Sequence, residues 1–188
     1  GDYDATAGLS PFASTEHAWL TIQGDPDRES SAVRFTSGGG VRTRYVRFAN
    51  LTFFETQVPS RVLPGTLEKQ NLWLDEIVSI GDGQMGDQEP LIGTAFETVY
   101  VTDSRFRELA NGPKHCDLVR GCLVEYVSED AYTRCLTIVD CEIRGLDPKP
   151  LAHPDIYQIF CDDEHDGDVP KIIYGLRAID VDAQLVFL

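Results

Sequence analysis

The strongest constraint on this chain is a short pattern that keeps returning. Apolar residues fall at alternate positions, then comes Asn, Asp or Gly, then a second short run opening on a small or apolar residue. The pattern reads YVRFANLTF at 45–53, VYVTDSRF at 99–106, LVRGCLV at 118–124 and LTIVDCEI at 136–143, with a looser copy, LWLDEI, at 72–77. Alternation at period two marks a strand with one buried face. Asn, Asp and Gly tolerate the left-handed backbone region, so the residue between the runs marks a bend. Superposing the copies makes Phe48, Leu74, Val101, Val119 and Ile138 equivalent, at offsets of 18 to 27 residues. Two pairs of cysteines keep the same beat. Cys116 and Cys135 are 19 residues apart, and so are Cys122 and Cys141.

Strand, bend and strand at a nearly constant period form the unit of a solenoid. The expected fold is therefore all-β, a single-stranded parallel β-helix. It forms one domain over 1–188, with an irregular lead-in at 1–17 and further coils expected beyond the apolar run at 183–188. Neighbouring parallel strands lie about 4.8 Å apart, so cysteines in register stack as ladders, either as thiols that pack as small hydrophobes or with at least one disulfide between Cys116 and Cys135 or Cys122 and Cys141. No cysteine pair has the CxxC spacing of a zinc ribbon or a thioredoxin-type site. No amphipathic helix of ten or more residues stands out, which argues against βαβ nucleotide-binding folds. Gly38, Gly39 and Gly40 precede no Lys-Ser/Thr pair and no helical pattern, so they read as a turn.

Of 188 residues, 42% are apolar and 10% aromatic, enough for a real core. The 31 acidic residues outnumber the 16 basic ones, for a net charge of -15. That balance opposes nucleic-acid binding, which needs a Lys/Arg surplus against phosphates. No apolar run reaches the roughly 18 residues that span a bilayer.

The segments AWLTIQGDP (18–26), VRTRYVRFANLTFF (41–54), VYVTDSRFREL (99–109), CLTIVDCEIRGL (135–146) and HPDIYQIF (153–160) carry a family likeness. Through them the chain resembles the right-handed parallel β-helix proteins of the pectin-lyase-like superfamily, and within it bacterial repeat proteins to which no activity is attached. The resemblance implies a right-handed coil and a secreted, periplasmic or cell-surface location. It also implies a polysaccharide partner. Lyases of this fold use a basic residue beside bound Ca²⁺ to abstract a proton, a part open to Lys114, Arg120 or Arg134. Fold alone does not choose among lyases, hydrolases, esterases, epimerases and binding proteins.

The residues themselves offer a second periodic set. Asp130, Asp155 and Asp182 recur at spacings of 25 and 27 residues, each followed within two positions by Tyr or Gln. One coil per interval would line these carboxylates along one face, where like charges raise a pKa or call for a cation. The competing reading is that each Asp caps a strand end. His153 stands two residues before Asp155, so both side chains share a side of an extended strand. The catalytic expectation is His153 with Asp155 as base and support and Asp130 as second carboxylate. Asp182, Tyr132, Gln158 and Lys114 are the expected binding residues. Asp162, Asp163, Asp166 and Asp168 form an acidic loop that is a Ca²⁺ candidate without EF-hand spacing. Trp19, Trp73, Tyr132, Tyr157 and Tyr174 would stack on sugar rings wherever they are exposed. The expected function is recognition or cleavage of a polysaccharide. The alternatives are a noncatalytic carbohydrate-binding or adhesion module and a structural solenoid segment of a larger secreted protein.

Overall fold

Among the described residues the encoded alternation is realised as seventeen short strands, several of them joined by sharp corners, with no helix. A computed structural model describes residues 2–4, 14–28, 34–37, 44–54, 70–81, 96–146, 155–158 and 170–183. In chain order the strands begin with β1 (Asp2–Asp4), β2 (Leu20–Gln23), β3 (Arg34–Ser37), β4 (Tyr45–Ala49), β5 (Thr52–Phe54) and β6 (Gln70–Asp75). Next come β7 (Val78–Ile80), β8 (Phe96–Thr102), β9 (Arg105–Arg107), β10 (Leu118–Arg120), β11 (Leu123–Val127) and β12 (Tyr132–Thr133). The last are β13 (Thr137–Val139), β14 (Glu142–Leu146), β15 (Tyr157–Gln158), β16 (Ile172–Tyr174) and β17 (Arg177–Ile179).

The chain alternates between two parallel sheets. One has eight strands, in the order β1-β3-β5-β7-β9-β11-β14-β17. The other has seven, in the order β16-β13-β10-β8-β6-β4-β2. A third, two-stranded parallel sheet pairs β12 with β15. Each strand therefore pairs with the equivalent strand of the repeats before and after it. The register runs Phe48, Leu74, Val101, Val119, Ile138 and then Ile173 across the seven-stranded sheet. The first five are the positions matched in the sequence, and all are fully buried.

Three kinds of corner turn the chain, and each places a left-handed residue before an inward-pointing one. After the seven-stranded sheet the left-handed residues are Asn50, Glu76, Asp103, Gly121, Asp140 and Gly175. They are followed by Leu51, Ile77, Ser104, Cys122, Cys141 and Leu176. Toward the end of the eight-stranded sheet the left-handed residues are Glu108 and Asp180, just past β9 and β17, and Tyr126 and Gly145, within β11 and β14, and at the third corner they are His115 and Arg134. The parallel ladder continues through the bends, because Asn50 N donates to Asp75 O (3.1 Å), Asp103 N to Arg120 O (2.9 Å) and Gly121 N to Val139 O (3.0 Å). These backbone donors stay paired where the chain turns.

Between the sheets lies one core, with Phe48, Phe53, Phe106, Tyr132 and Tyr157 as its largest members. The four cysteines of the ladder are free thiols and buried. Burial, reinforced by a hydrogen bond to Cys135, pushes the Cys116 thiol up. A hydrogen bond to Cys141, then burial, does the same to Cys122. Both stay protonated and act as small apolar fillers.

Candidate functional site

The outward face of the seven-stranded sheet carries a groove of about 590 Å³, a size typical of ligand sites. Parity builds it. Since Val46, Phe48, Leu72, Leu74, Val99 and Val101 point inward, the residues between them point out. One outward column holds Arg47, Trp73, Tyr100 and Leu118, a second Tyr45, Asn71 and Thr98, and a third Asp75, Thr102 and Arg120. Trp19, immediately before β2, folds over the same face. Its ring centroid lies 5.4 Å from Tyr45, 6.1 Å from Trp73 and 6.5 Å from Tyr100. The tight turn before it is fixed by Thr15 and Ala18, which bond each other's backbones, and by Tyr45 N donating to Ser14 Oγ (2.9 Å).

Trp73 is held on all sides. Its Nε1 donates to Thr102 Oγ1 (2.8 Å), and the Thr102 hydroxyl donates to Asp75. The Arg47 guanidinium pairs with Asp75 and lies 4.6 Å from the Trp73 ring centroid. This network spends one Arg and one Asp on fixing an aromatic ring, so the ring is preorganised at no net charge. Tyr100 is 36% exposed and presents its ring to solvent. Asn71 is 7% exposed, yet its Nδ2 has no hydrogen-bond partner among the described residues. A buried amide donor in that state is costly unless a ligand supplies an acceptor.

A second polar cluster sits beside the third corner. The pairing of Tyr132 with Tyr157 and of Thr133 with Gln158 brings Asp130 and Asp155 into the same column, at the predicted offset of 25. Ala131 N donates to Asp155 O (2.9 Å), which fixes the alignment. Asp155 is fully buried and Asp130 nearly so. Withdrawal from water is the main reason that the Asp130 carboxyl rises to about 6, and the Asp155 charge pushes the same way. The Thr133 hydroxyl, which donates to Oδ2 at 3.2 Å, and the nearby Lys114 ammonium oppose the rise. A carboxyl poised there exchanges protons readily near neutrality.

Thus Asp130, Asp155, Lys114 and Gln158 come together. Asp182 does not join them. Between β14 and β17 the register steps from Glu142 to Arg177, 35 residues rather than 27. Asp182 lies exposed just past β17, at the position that Ser128 holds beside β11. The 27-residue match was therefore a coincidence of spacing. Tyr132 is also displaced from its expected part. It is fully buried, burial pushes its hydroxyl up, and its ring belongs to the core. Tyr157 is likewise buried, donating its hydroxyl to Cys135 O (2.5 Å). His153, Asp162, Asp163, Asp166 and Asp168 lie outside the described residues. Among the described residues no cluster of three metal-ligating side chains occurs, and no helix is long and apolar enough to cross a membrane.

Sequence reasoning marked Trp19 and Trp73 but missed Tyr45, Asn71, Tyr100 and Thr102. The signal was present: once the inward column through Phe48, Leu74 and Val101 is set, the residues alternating with it, Tyr45, Asn71, Trp73, Tyr100 and Thr102 among them, fall on the outward face. No protein-family model matches the chain, and neither does any curated protein or solved structure.

Proposed function

We propose that the chain is a right-handed parallel β-helix of the pectin-lyase-like kind, and that it binds a polysaccharide along the aromatic groove, outside the cytoplasm. One observation carries this reading. Trp19, Tyr45, Trp73 and Tyr100, drawn from the segment before β2 and from three successive strands, line one groove. Aromatic rings with a polar margin suit the apolar faces and hydroxyl edges of sugars. The alternation between sheets, the parallel register and the three left-handed corners support the β-helix reading. This favours the binding module among the alternatives that the sequence left open.

Titrating the chain with soluble polysaccharides while following tryptophan fluorescence tests the reading. Tyr100→Ala, at an exposed position, is expected to weaken binding by about tenfold while leaving the melting temperature unchanged. Unaltered affinity in that variant would place binding elsewhere. Cleavage is the second reading, favoured by the Asp130 carboxyl at about 6 beside Asp155. The same panel, followed for new reducing ends and unsaturated products, decides it.

A further inference from the structure

We infer that the ligand is a neutral glycan whose pyranose hydroxyls are equatorial, and that Asn71 is the residue that reads one of those hydroxyls. This rests on the groove being a glycan site and names the class of sugar it takes. Three features of the groove point the same way.

The first is charge. The charged groups that line the groove are one acid, Glu16, and one base, Arg120, while Arg47 and Asp75 flank Trp73. Arg47 and Asp75 neutralise each other, and Glu16 lies 3.2 Å from His17. Arg120 is the one lining cation without an ion pair among the described residues, and it stands at the far margin beside Leu118. A polyanion carries a charge on every unit and needs a row of cations to match it. One guanidinium is no row, and the whole chain, at -15, repels such a ligand.

The second is shape. Trp73 and Tyr100 occupy one column on adjacent strands, so their rings recur at the strand spacing of about 4.8 Å. A sugar with equatorial hydroxyls keeps its axial C–H bonds on two flat faces, and flat C–H faces are what an aromatic floor takes. Axial hydroxyls would be pushed into the rings.

The third is the unmet donor. Asn71 Nδ2 lies among Tyr45, Thr98 and Trp73 with no acceptor. A hydroxyl oxygen supplies a neutral acceptor there. Trp73 Nε1 is already committed to Thr102, so the amide is the groove's available deep donor among the described residues.

The experiment is a titration of the whole chain with cellohexaose and xylohexaose as neutral equatorial probes, β-1,4-mannohexaose, whose 2-hydroxyl is axial, as the control expected to bind weakly, and polygalacturonate and heparin as polyanions, each at low and high salt. Binding of the two neutral equatorial probes is expected to be insensitive to salt. It should weaken by about tenfold in Asn71→Ala, the loss of one hydrogen bond to a neutral acceptor. Asn71→Leu, an uncharged side chain of similar size that lacks the donor, should weaken it at least as much, and its melting temperature serves as the check on the fold. Salt-sensitive binding of the polyanions alone would overturn the sugar class while leaving the glycan site standing. Equal affinity in both Asn71 variants would remove that residue from recognition. Failure of every probe to bind would overturn the groove's function along with its specificity.

Discussion

At Asp130, removal from water outweighs two favourable neighbours, a hydroxyl donor at Thr133 and the Lys114 ammonium. The consequence for stability has a definite sign. The ordinary carboxyl loses its proton near 3.8 in the unfolded chain, but Asp130 holds its proton to about 6 in the folded one. Below both values the group is protonated in either state and costs nothing. As pH rises through about 6, the folded chain must carry a desolvated charge beside Asp155, and the stability held by the protonated form is lost. Asp130→Asn keeps the shape without the charge. It is expected to be more stable than the natural chain by roughly 2 kcal/mol at pH 8, with most of that gain gone at pH 4. Thermal melts of both proteins at the two pH values measure it. A gain of equal size at both would mean that the carboxylate carries no penalty.

The corners set a second requirement, at the scale of the element. In the column Asn50, Glu76, Asp103, Gly121, Asp140, Gly175, the two glycines follow the two aspartates in stacking order. Asp103 Oδ1 lies over Gly121, and Asp140 Oδ1 over Gly175, where a Cβ on either glycine would collide with it. Both glycines also have positive φ, 64° and 66°. Gly121→Ala is therefore expected to cost about 1–3 kcal/mol, partly from the left-handed backbone and partly from the clash. Adding Asp103→Ala should recover the second part only, and denaturant melts of the single and double variants separate them. This element was legible in advance where its residues announce it. Asn50, Asp103, Gly121 and Asp140 mark bends by their chemistry, and the cysteines revealed a 19-residue register that the strands obey. Glu76, Glu108, His115, Tyr126 and Arg134 adopt the same geometry without any residue-type signal. There the stacked ladder imposes the bend, and local propensity does not. The candidate site was half legible for a similar reason. The offset linking Asp130 to Asp155 survives because both precede paired strands. The offset to Asp182 fails because the residues between β14 and β17 lengthen that repeat.

In the whole molecule every strand leans mainly on its two neighbours in one sheet. Such a stack is nearly one-dimensional, and its stability is a sum of repeats and the interfaces between them. The burial pattern grades it. Leu74, Val101, Val119 and Ile138 are sealed, whereas Ile173, next in the same column, is 42% exposed, and Ile172 and Tyr174 more so. Amide hydrogen exchange is expected to be slowest in β6, β8, β10 and β13 and fastest in β16 and β17. Uniform protection across the column would instead mean that the stack opens only as one unit.

The groove runs across the strands, so on the proposed reading as a glycan site it would act as a ruler. A ligand lying in it is counted off in strand spacings of about 4.8 Å, one notch per repeat. Trp73 and Tyr100 are two adjacent notches, and Tyr45 belongs to the repeat before them. Duplicating a single repeat would lengthen the scale by one notch with no change of fold. Deleting one would shorten it by the same amount. If the groove is the glycan site proposed above, the length of chain it prefers would be an arithmetic property of the gene, adjustable in whole steps.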